Sequence, residues 1–197
     1  MEQTLETFKL WHELEPQAVM PRQMLATVLV SGGKLEESRP YLVELLAADS
    51  KNAGRNFVQL YPLFARYGDK AAVYKILQEL AQPYPDFAEM HWVLAQAAEE
   101  ANQHEQALGE VRKARDLRPE WDAPVVLEAQ LKLKSAPAEA LSGVKKFLTD
   151  YPKADEVRLF YARSLLEQKQ YQESRVQFQY LLRQKPDSAE LAFAIAL

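Results

Sequence analysis

Three histidines are the side chains of this sequence best suited to acid–base or metal chemistry, because an imidazole titrates near neutral pH and readily binds Zn²⁺. They are His12, His91 and His104. His12-Glu13 and His104-Glu105 begin like the zinc-protease motif HExxH, in which a second histidine one turn later completes the metal site. That second histidine is absent from both stretches. We therefore expect no metal site, and we expect His91 to be a packing or groove-side residue of a helix.

Paired carboxylates and paired glycines are the other candidates for a catalytic or phosphate-binding site. Glu99-Glu100 lies in a helical pattern, where neighbouring side chains point about 100° apart and do not face each other as a general acid and base must. Gly32-Gly33 lacks the flanking residues of the phosphate-binding patterns GxxxxGKS/T and GxGxxG. The sequence has no cysteine, which excludes disulfides and thiolate nucleophiles. The sequence therefore predicts no catalytic residue, no cofactor and no enzyme activity.

The composition is that of an acidic, helix-rich protein. The 197 residues carry a net charge of −4, 48% of them are hydrophobic, and only 6 are glycine. An acidic balance with scattered basic residues argues against nucleic acid as the main partner. No run of about 18 apolar residues occurs, so we expect no direct membrane insertion by this segment. The first residues also lack the basic and apolar regions of a signal peptide.

The candidate residues are positioned by helices that repeat along the chain. Prolines that end helical patterns recur at steps of 34, 33 and 34 residues, at Pro85, Pro119, Pro152 and Pro186. Pro16 lies 69 residues before the first of them, which leaves room for two more units, and Ser50 stands where the intervening proline would be. Between Pro85 and Pro119, apolar helical patterns cover residues 87–101 and 105–117 around a polar break. The sequence therefore predicts one helix pair in each unit.

Small residues recur at two fixed positions of these units. One set lies ten residues after the prolines, at Ala26, Ala95, Ala129, Ala162 and Ala196. The second set lies in the following helix, at Ser38, Ala72 or Val73, Ala107, Ala140 and Ser174. A unit of this size cannot bury its apolar face alone and must stack on its neighbours. The two sets therefore predict the places where the paired helices approach each other closely.

The order of large, small and aromatic residues in these units resembles the tetratricopeptide repeat (TPR) family. The residues that carry the resemblance are Trp92, Leu94, Ala95, Ala107, Val111, Ala114 and Pro119 in one unit, and Tyr161, Ala162, Ser174, Phe178, Leu181 and Pro186 in another. The resemblance covers essentially the whole chain, because period and phase agree throughout. It implies an all-α fold, a right-handed TPR solenoid of antiparallel helix pairs with about 11–12 helices.

The resemblance also implies a single TPR array and divides it into parts. These are a helix B remnant (1–16), repeats at about 17–50, 51–85, 86–119, 120–152 and 153–186, and a partial helix A (187–197). Terminal repeats of a solenoid need polar outer faces, and neither end of this chain has such a cap. We therefore expect either a fragment of a longer protein, prone to self-association through its uncapped ends, or a chain whose two ends pack on something else.

Three prolines predict local departures from the repeat. Pro62 lies inside a helix A expected over 56–67 and should kink or distort it, and Pro40 should delay or kink the helix B that contains it. Pro137 suits the first turn of a helix, and the 33-residue period of its unit implies a tighter turn between the paired helices. The spacing of 35 residues from Ser50 to Pro85 implies one inserted residue, expected within 82–85.

In TPR proteins the concave face that holds a partner is formed by helix A residues. The matching positions of this chain are Gln23, Thr27, Val30, Trp92, Gln96, Glu99, Val126, Gln130, Leu133, Leu159, Arg163 and Leu166. They lack the Lys and Asn pattern with which some members clamp a peptide carboxylate. Apolar and amide side chains suit an extended or helical peptide instead.

The aromatic residues divide into two groups by their position in the repeat. Phe8, Trp11, Phe147 and Phe178 lie at helix B positions that are expected to pack in the core. Trp92 has two alternatives, contact with a partner or packing between repeats.

The resemblance indicates a non-catalytic protein–protein interaction scaffold that binds a protein or peptide partner. Stretches such as LWHELEPQA are similar to a proteobacterial TPR family of outer-membrane lipoproteins. Those proteins act as adaptors that deliver substrates to a periplasmic carboxyl-terminal processing protease. This likeness implies a periplasmic location through a lipid anchor upstream of residue 1, although a cytoplasmic location is also open. The alternatives are a scaffold for pilus assembly or exopolysaccharide export, and an accessory domain of a larger enzyme.

Overall fold

The computed structural model describes residues 2–64 and 67–196, and α-helices and short 3₁₀ segments form the regular secondary structure within them. The chain divides into two compact units, an N-terminal unit (residues 1–117) and a C-terminal unit (residues 118–197). The N-terminal unit contains α1 (Glu2–Leu14), α2 (Val19–Ser31), α3 (Leu35–Ala48), α4 (Ala53–Leu60), α5 (Lys70–Ala81), α6 (Ala88–Glu100) and α7 (His104–Leu117). The C-terminal unit contains α8 (Asp122–Leu133), α9 (Pro137–Asp150), α10 (Asp155–Glu167), α11 (Tyr171–Gln184) and α12 (Ala189–Ala196). The prediction of an all-α fold of TPR helix pairs is confirmed, with twelve α-helices in the described residues.

The small residues mark the contact between paired helices, as the sequence predicts. Ala26, Ala95 and Ala162 have no exposed surface, and their partners in the following helix are buried as well. At the uncertain position Val73 is buried, whereas Ala72 is only half-buried. In the pair of α10 and α11, a hydrogen bond joins the two small residues directly: Ser174 Oγ donates to the Ala162 carbonyl at 2.8 Å. The side chain of Ala196 lies outside the described residues.

The turn inside three helix pairs uses the same left-handed residue. Gly33 (φ 78°), Asn102 (φ 58°) and Lys169 (φ 59°) occupy equivalent positions. The residue after each donates its N–H back to the last turn of the first helix at 2.8 Å: Lys34 to Leu29, Gln103 to Ala98 and Gln170 to Leu165. This is the Schellman arrangement, in which a residue of positive φ ends the helix and satisfies its free carbonyls.

The repeat around Pro62 is distorted, as predicted. Its first helix is short: α4 ends at Leu60, and a 3₁₀ segment (Tyr61–Phe64) follows it. Pro62 lies within that segment, where its missing N–H no longer interrupts an α-helical ladder. The end of the predicted helix is not tested in full, because residues 65 and 66 lie outside the described residues. The connection after α5 has six residues, against four between α7 and α8, which is consistent with the predicted insertion.

Other predictions about the prolines and aromatic residues have mixed outcomes. Pro137 begins α9, as expected, but Pro40 does not delay its helix, because α3 starts at Leu35. The predicted tighter turn before Pro137 is wrong: three residues connect α8 to α9, as they do in the pairs α2–α3, α6–α7 and α10–α11, and α8 is a residue shorter than α6 or α10. Core packing is confirmed for Phe147 and Phe178.

The first helix carries the two predicted core aromatics that are not fully buried. Phe8 is partly buried against the cluster of Leu5, Leu25 and Leu29. Trp11 is 37% exposed, because its indole Nε1 donates to the exposed carboxylate of Glu15 at 3.2 Å rather than entering that cluster. The prediction that Trp11 packs in the core is therefore wrong.

Basic side chains fasten three of the connections between repeats. Arg22, His91 and Arg158 each lie six residues after a helix-ending proline and contact its carbonyl oxygen, at 2.9 Å in every case. Each also reaches the next helix: Arg22 approaches Glu44, His91 contacts Glu110 and Arg158 donates to Gln177. These side chains position the start of each first helix against its partner. No described helix has both the length and the apolar character required to cross a membrane.

Candidate functional site

The N-terminal unit contains a cleft of about 320 Å³ between α2, the end of α3 and α4. Its lining combines aliphatic, amide and hydroxyl side chains: Val19, Gln23, Thr27, Leu45, Ala48, Asp49, Asn56, Gln59, Leu60 and Leu63. Gln23 and Thr27 are two of the positions that the sequence predicts to face a partner. They lie one turn apart on α2, and Val19 lies one turn before them, so one face of the helix forms this wall.

A second cleft of about 480 Å³ lies at the other end of α2. It is lined by Val30, Ser31, Gly33, Pro62, Leu63, Tyr67 and Gly68. Leu63 borders both clefts, so the two follow α2 from its first residue to the turn after it. Val30, the third predicted position on α2, is 2% exposed and contributes wall rather than a projecting contact. Tyr67 Oη donates to the Gly33 carbonyl at 3.3 Å and fixes the far end.

The polar side chains of the first cleft are available to a ligand. The amides of Gln23, Asn56 and Gln59 have no hydrogen-bond partner among the described residues. Thr27 Oγ1 donates to the Gln23 carbonyl at 2.8 Å, and its oxygen can still accept a bond. An amide both donates and accepts, so this set can pair with the N–H and C=O groups of a bound backbone.

The regular repeat pattern does not predict one wall of this cleft, because Pro62 interrupts the repeat there. Asn56, Gln59, Leu60 and Leu63 follow the i, i+3, i+4, i+7 spacing of one helix face. That spacing is visible in the sequence, and it places an amide pair beside a leucine pair. A prediction that assigns residues around Pro62 by their position in a regular repeat does not detect this helix face.

The predicted positions on α6 have different surroundings. Trp92 and Gln96 are half-buried, and the Nε2 atom of Gln96 is buried without a hydrogen-bond partner among the described residues. Glu99 is exposed and accepts from His104 Nδ1 at 3.0 Å. Its neighbour Glu100 contacts Tyr61 and Lys70 instead, each at 2.8 Å. The two carboxylates therefore point to different partners, as expected for neighbours in a helix.

The predicted positions in the C-terminal unit form no comparable set of free polar groups. Val126 and Leu133 pack against the core of α8, α9 and α10, and Leu159 packs against the core that includes Phe178. Gln130 and Arg163 are exposed, and Arg163 pairs with Glu190. Leu166 lines a smaller cleft of about 120 Å³ beside α11 and α12.

The structure keeps the three histidines apart and gives each a different glutamate. His12 lies 3.6 Å from Glu44, His104 lies 3.0 Å from Glu99, and His91 Nδ1 lies 2.6 Å from Glu110. In residues 2–64 and 67–196, no three histidine or carboxylate side chains are grouped as metal ligands. The hydrogen bond to Glu110 raises the pKa of His91 against the opposing effect of burial, and the Pro85 carbonyl adds to the rise.

The pKa values of two carboxylates that accept such hydrogen bonds, Glu110 and Glu100, are lowered. Burial would raise the pKa of Glu110, but the hydrogen bonds from His91 and Lys113 outweigh it and hold the pKa below its ordinary value. Burial acts in the same way on Glu100, and the bonds from Lys70 and Tyr61 lower its pKa. Each pair stabilises helix contacts within the N-terminal unit.

The model of the tetratricopeptide repeat family matches residues 66–120 and 134–196, which together exceed half of the chain. The chain belongs to the tetratricopeptide repeat family. Repeats of this family generally mediate protein–protein interaction, and their fold is typically a non-catalytic scaffold. No curated protein matches the sequence.

Several solved TPR structures share the fold. A thermophilic TPR protein from Thermus thermophilus is 18% identical with a TM-score of 0.61, over 91% of this chain and 100% of that one. YrrB, described as a TPR protein with an unusual peptide-binding site, is 14% identical with a TM-score of 0.56, over 98% of this chain and 100% of that one. PilF of Pseudomonas aeruginosa is 19% identical with a TM-score of 0.54, over 99% of this chain and 89% of that one. At these identities the likeness concerns the fold alone.

Proposed function

We propose that this chain is a non-catalytic scaffold that binds an extended peptide segment of a partner protein in the cleft between α2 and α4. The observation that carries the proposal is the set of free amides at Gln23, Asn56 and Gln59 beside the apolar walls of the same cleft. Amides supply hydrogen bonds to a peptide backbone whatever its sequence, and the apolar walls accept its side chains.

The length of the cleft favours an extended ligand of a few residues. The linings of the two clefts together follow α2 from Val19 to Gly33, a distance of about 20 Å at about 1.5 Å per residue. An extended segment rises about 3.3 Å per residue, so about six residues fill this length. YrrB, whose description names a peptide-binding site, gives the proposal a precedent on a similar fold.

The wider role that we propose is that of an adaptor. Sequence stretches of this chain are similar to the lipoprotein family that delivers substrates to a periplasmic carboxyl-terminal processing protease. A short extended site of mixed polarity suits an adaptor, because such a site holds one partner while leaving the other surfaces of the scaffold free. The likeness in sequence supports this assignment.

A scaffold for pilus assembly is the second candidate. PilF supports it only as a protein of similar fold whose chain is matched over nearly its whole length. The two candidates differ in the partner expected on the chain, a soluble protease or its substrates in one case and a component of a surface assembly in the other. Identification of the protein whose peptide competes for the cleft separates them.

The site is tested by substituting a residue in the wall of the cleft. A displayed library of random decapeptides is selected on the full chain, and the affinity of the enriched peptides is measured by fluorescence anisotropy. Thr27→Arg fills the cleft between α2 and α4 and should weaken these peptides at least tenfold. Thr149→Arg is the matched control, because Thr149 Oγ1 makes the same bond to the carbonyl four residues earlier, at 3.0 Å, at an exposed position of α9 in the other unit.

Gln59→Ala supplies an independent variant that removes one free amide without filling the cleft. We expect a smaller loss, of about threefold to tenfold, because one hydrogen bond contributes about 0.5–1.5 kcal/mol. The circular dichroism spectrum confirms that each variant keeps its helices. Peptides that bind Thr27→Arg and Gln59→Ala as well as the original chain would show that the site lies elsewhere.

A further inference from the structure

The two clefts along α2 end in chemically different surroundings. Paired helices run antiparallel, so the end of α3 lies beside the start of α2, as the approach of Arg22 to Glu44 shows. Asp49, which follows α3, therefore lines the first cleft at the end marked by Val19. Among the described residues, the opposite end is lined by Gly33, Tyr67 and Gly68, which carry no charge at neutral pH.

Asp49 is the only charged side chain among the described residues that line either cleft. Both of its carboxylate oxygens accept from the amide Nδ2 of Asn52, at 3.1 and 3.0 Å. That neutral donor holds the carboxylate in place without cancelling its charge. Asp49 makes no ion pair within the described part of the chain, and each of its oxygens can accept a further bond.

The neighbouring residues make this charge a selective feature of the site. The adjacent walls are Val19, Leu45 and Ala48, and the free amides begin at Gln23. A cation that reaches Asp49 therefore meets one fixed anion, whereas an acidic ligand meets repulsion there and no compensating cation among the described lining residues. The pairing of a ligand cation with a single carboxylate gives specificity rather than a large gain in affinity.

We infer that the peptide held between α2 and α4 carries a lysine or arginine at the Asp49 end and uncharged residues along the rest of the cleft. This inference rests on the proposed function, since it names the class of peptide that the same site takes. Asp49 fixes the position of the peptide along α2 by pairing with that basic side chain. The amides hold the peptide backbone, and the leucines of α3 and α4 receive its apolar side chains.

The experiment is a charge reversal followed by a new selection. Decapeptides selected on the full wild-type chain should be enriched in Lys or Arg at one position. Asp49→Lys should bind those peptides about fivefold to tenfold more weakly, because an exposed ion pair contributes up to about a factor of five and the reversal adds repulsion. Selection on Asp49→Lys should then enrich Asp or Glu at the same position.

Asp116→Lys is the matched control, because it makes the same change in net charge at an exposed residue of α7 outside both clefts. It should leave the affinity within twofold and the basic preference intact. Peptides that lose affinity on Thr27→Arg but show no basic preference, and that bind Asp49→Lys unchanged, would refute this inference while leaving the proposed cleft in place. Peptides that bind Thr27→Arg unchanged would refute both.

Discussion

The pairing of His91 with Glu110 makes a pH-dependent contribution to stability. The ring nitrogens of His91 contact two acceptors, the Glu110 carboxylate at 2.6 Å and the Pro85 carbonyl at 2.9 Å. A neutral imidazole has one N–H and cannot donate to both, whereas an imidazolium has two. The folded chain therefore favours the protonated ring, in agreement with the raised pKa of His91.

The sign of the effect follows from that direction. Unfolded histidine has a pKa of about 6.5, and the folded value is raised, so the stabilisation is complete below about pH 6.5 and is lost as the pH rises through the folded pKa. On the acid side, the pKa of Glu110 is lowered in the folded chain. Its contribution to stability is therefore present above the pKa of the unfolded state and is lost as the pH falls through the pKa of the folded state. The pair is therefore most stabilising between about pH 5 and 6.5.

His91→Leu is the substitution that measures this contribution. Hydrogen bonds to charged groups contribute about 1.5–3 kcal/mol, and the side chains of His91 and Glu110 are 13% and 15% exposed, so partial screening leaves about 1–2 kcal/mol. For a chain of this length that is a fall in Tm of about 3–6 °C. Calorimetry at pH 6 should show the full difference from wild type, and at pH 9 most of it should be gone.

His104→Leu provides the control for the general effect of losing a histidine. His104 contacts Glu99 on the surface, where the two side chains are 42% and 46% exposed, so its removal should change Tm by less than about 2 °C at either pH. A difference between wild type and His91→Leu that stays constant from pH 6 to pH 9 would refute the reasoning. It would mean that His91 acts through packing and not through its charge.

Three further substitutions test the packing and the turns. Gly54→Ala should destabilise by about 1–2 kcal/mol in denaturant unfolding, because its Cβ would lie 2.9 Å from Phe87 Cδ1 and 3.2 Å from Phe87 Cβ. Gly109→Ala is the control and should stabilise by up to about 1 kcal/mol, because no atom lies within 4 Å of its Cβ. The same change in the free energy of unfolding for both variants would contradict the close approach of Gly54 to Phe87. Lys169→Gly should raise stability by about 0.5–1 kcal/mol, since it relieves a non-glycine residue at φ 59°; a loss of stability would show that the Lys169 side chain compensates for that conformation. Trp92→Ala should lower Tm by more than about 4 °C and leave the affinity of peptides bound between α2 and α4 within twofold, because the half-buried ring lines neither cleft. A smaller fall in Tm together with weaker peptide binding would assign Trp92 to contact with the partner.

The repeat itself was predictable because its information is local. Each unit carries its own small residues, such as Ala95 and Ala107, and both are fully buried in helices joined by a single turn. The helix bounds of a regular unit follow from the same pattern: helical patterns over 87–101 and 105–117 match α6 and α7 to within a residue at each end. Left-handed turn residues are visible at Gly33 but not at Lys169, because a lysine has no preference for positive φ.

The sequence by itself determined the all-α fold, the period of the helix pairs and the face of α2 that lines the cleft. Only the tertiary structure decided the opposite wall and the partners of the charged groups. That wall depends on how the 3₁₀ segment around Pro62 places Leu63, and on the packing of Gly54 against Phe87. Contacts such as His91 with Glu110 join residues of different helices, and repeat phase does not specify which polar side chains meet there. A repeat fixes its core through nearest-neighbour contacts, whereas a cleft depends on the irregularity that interrupts them.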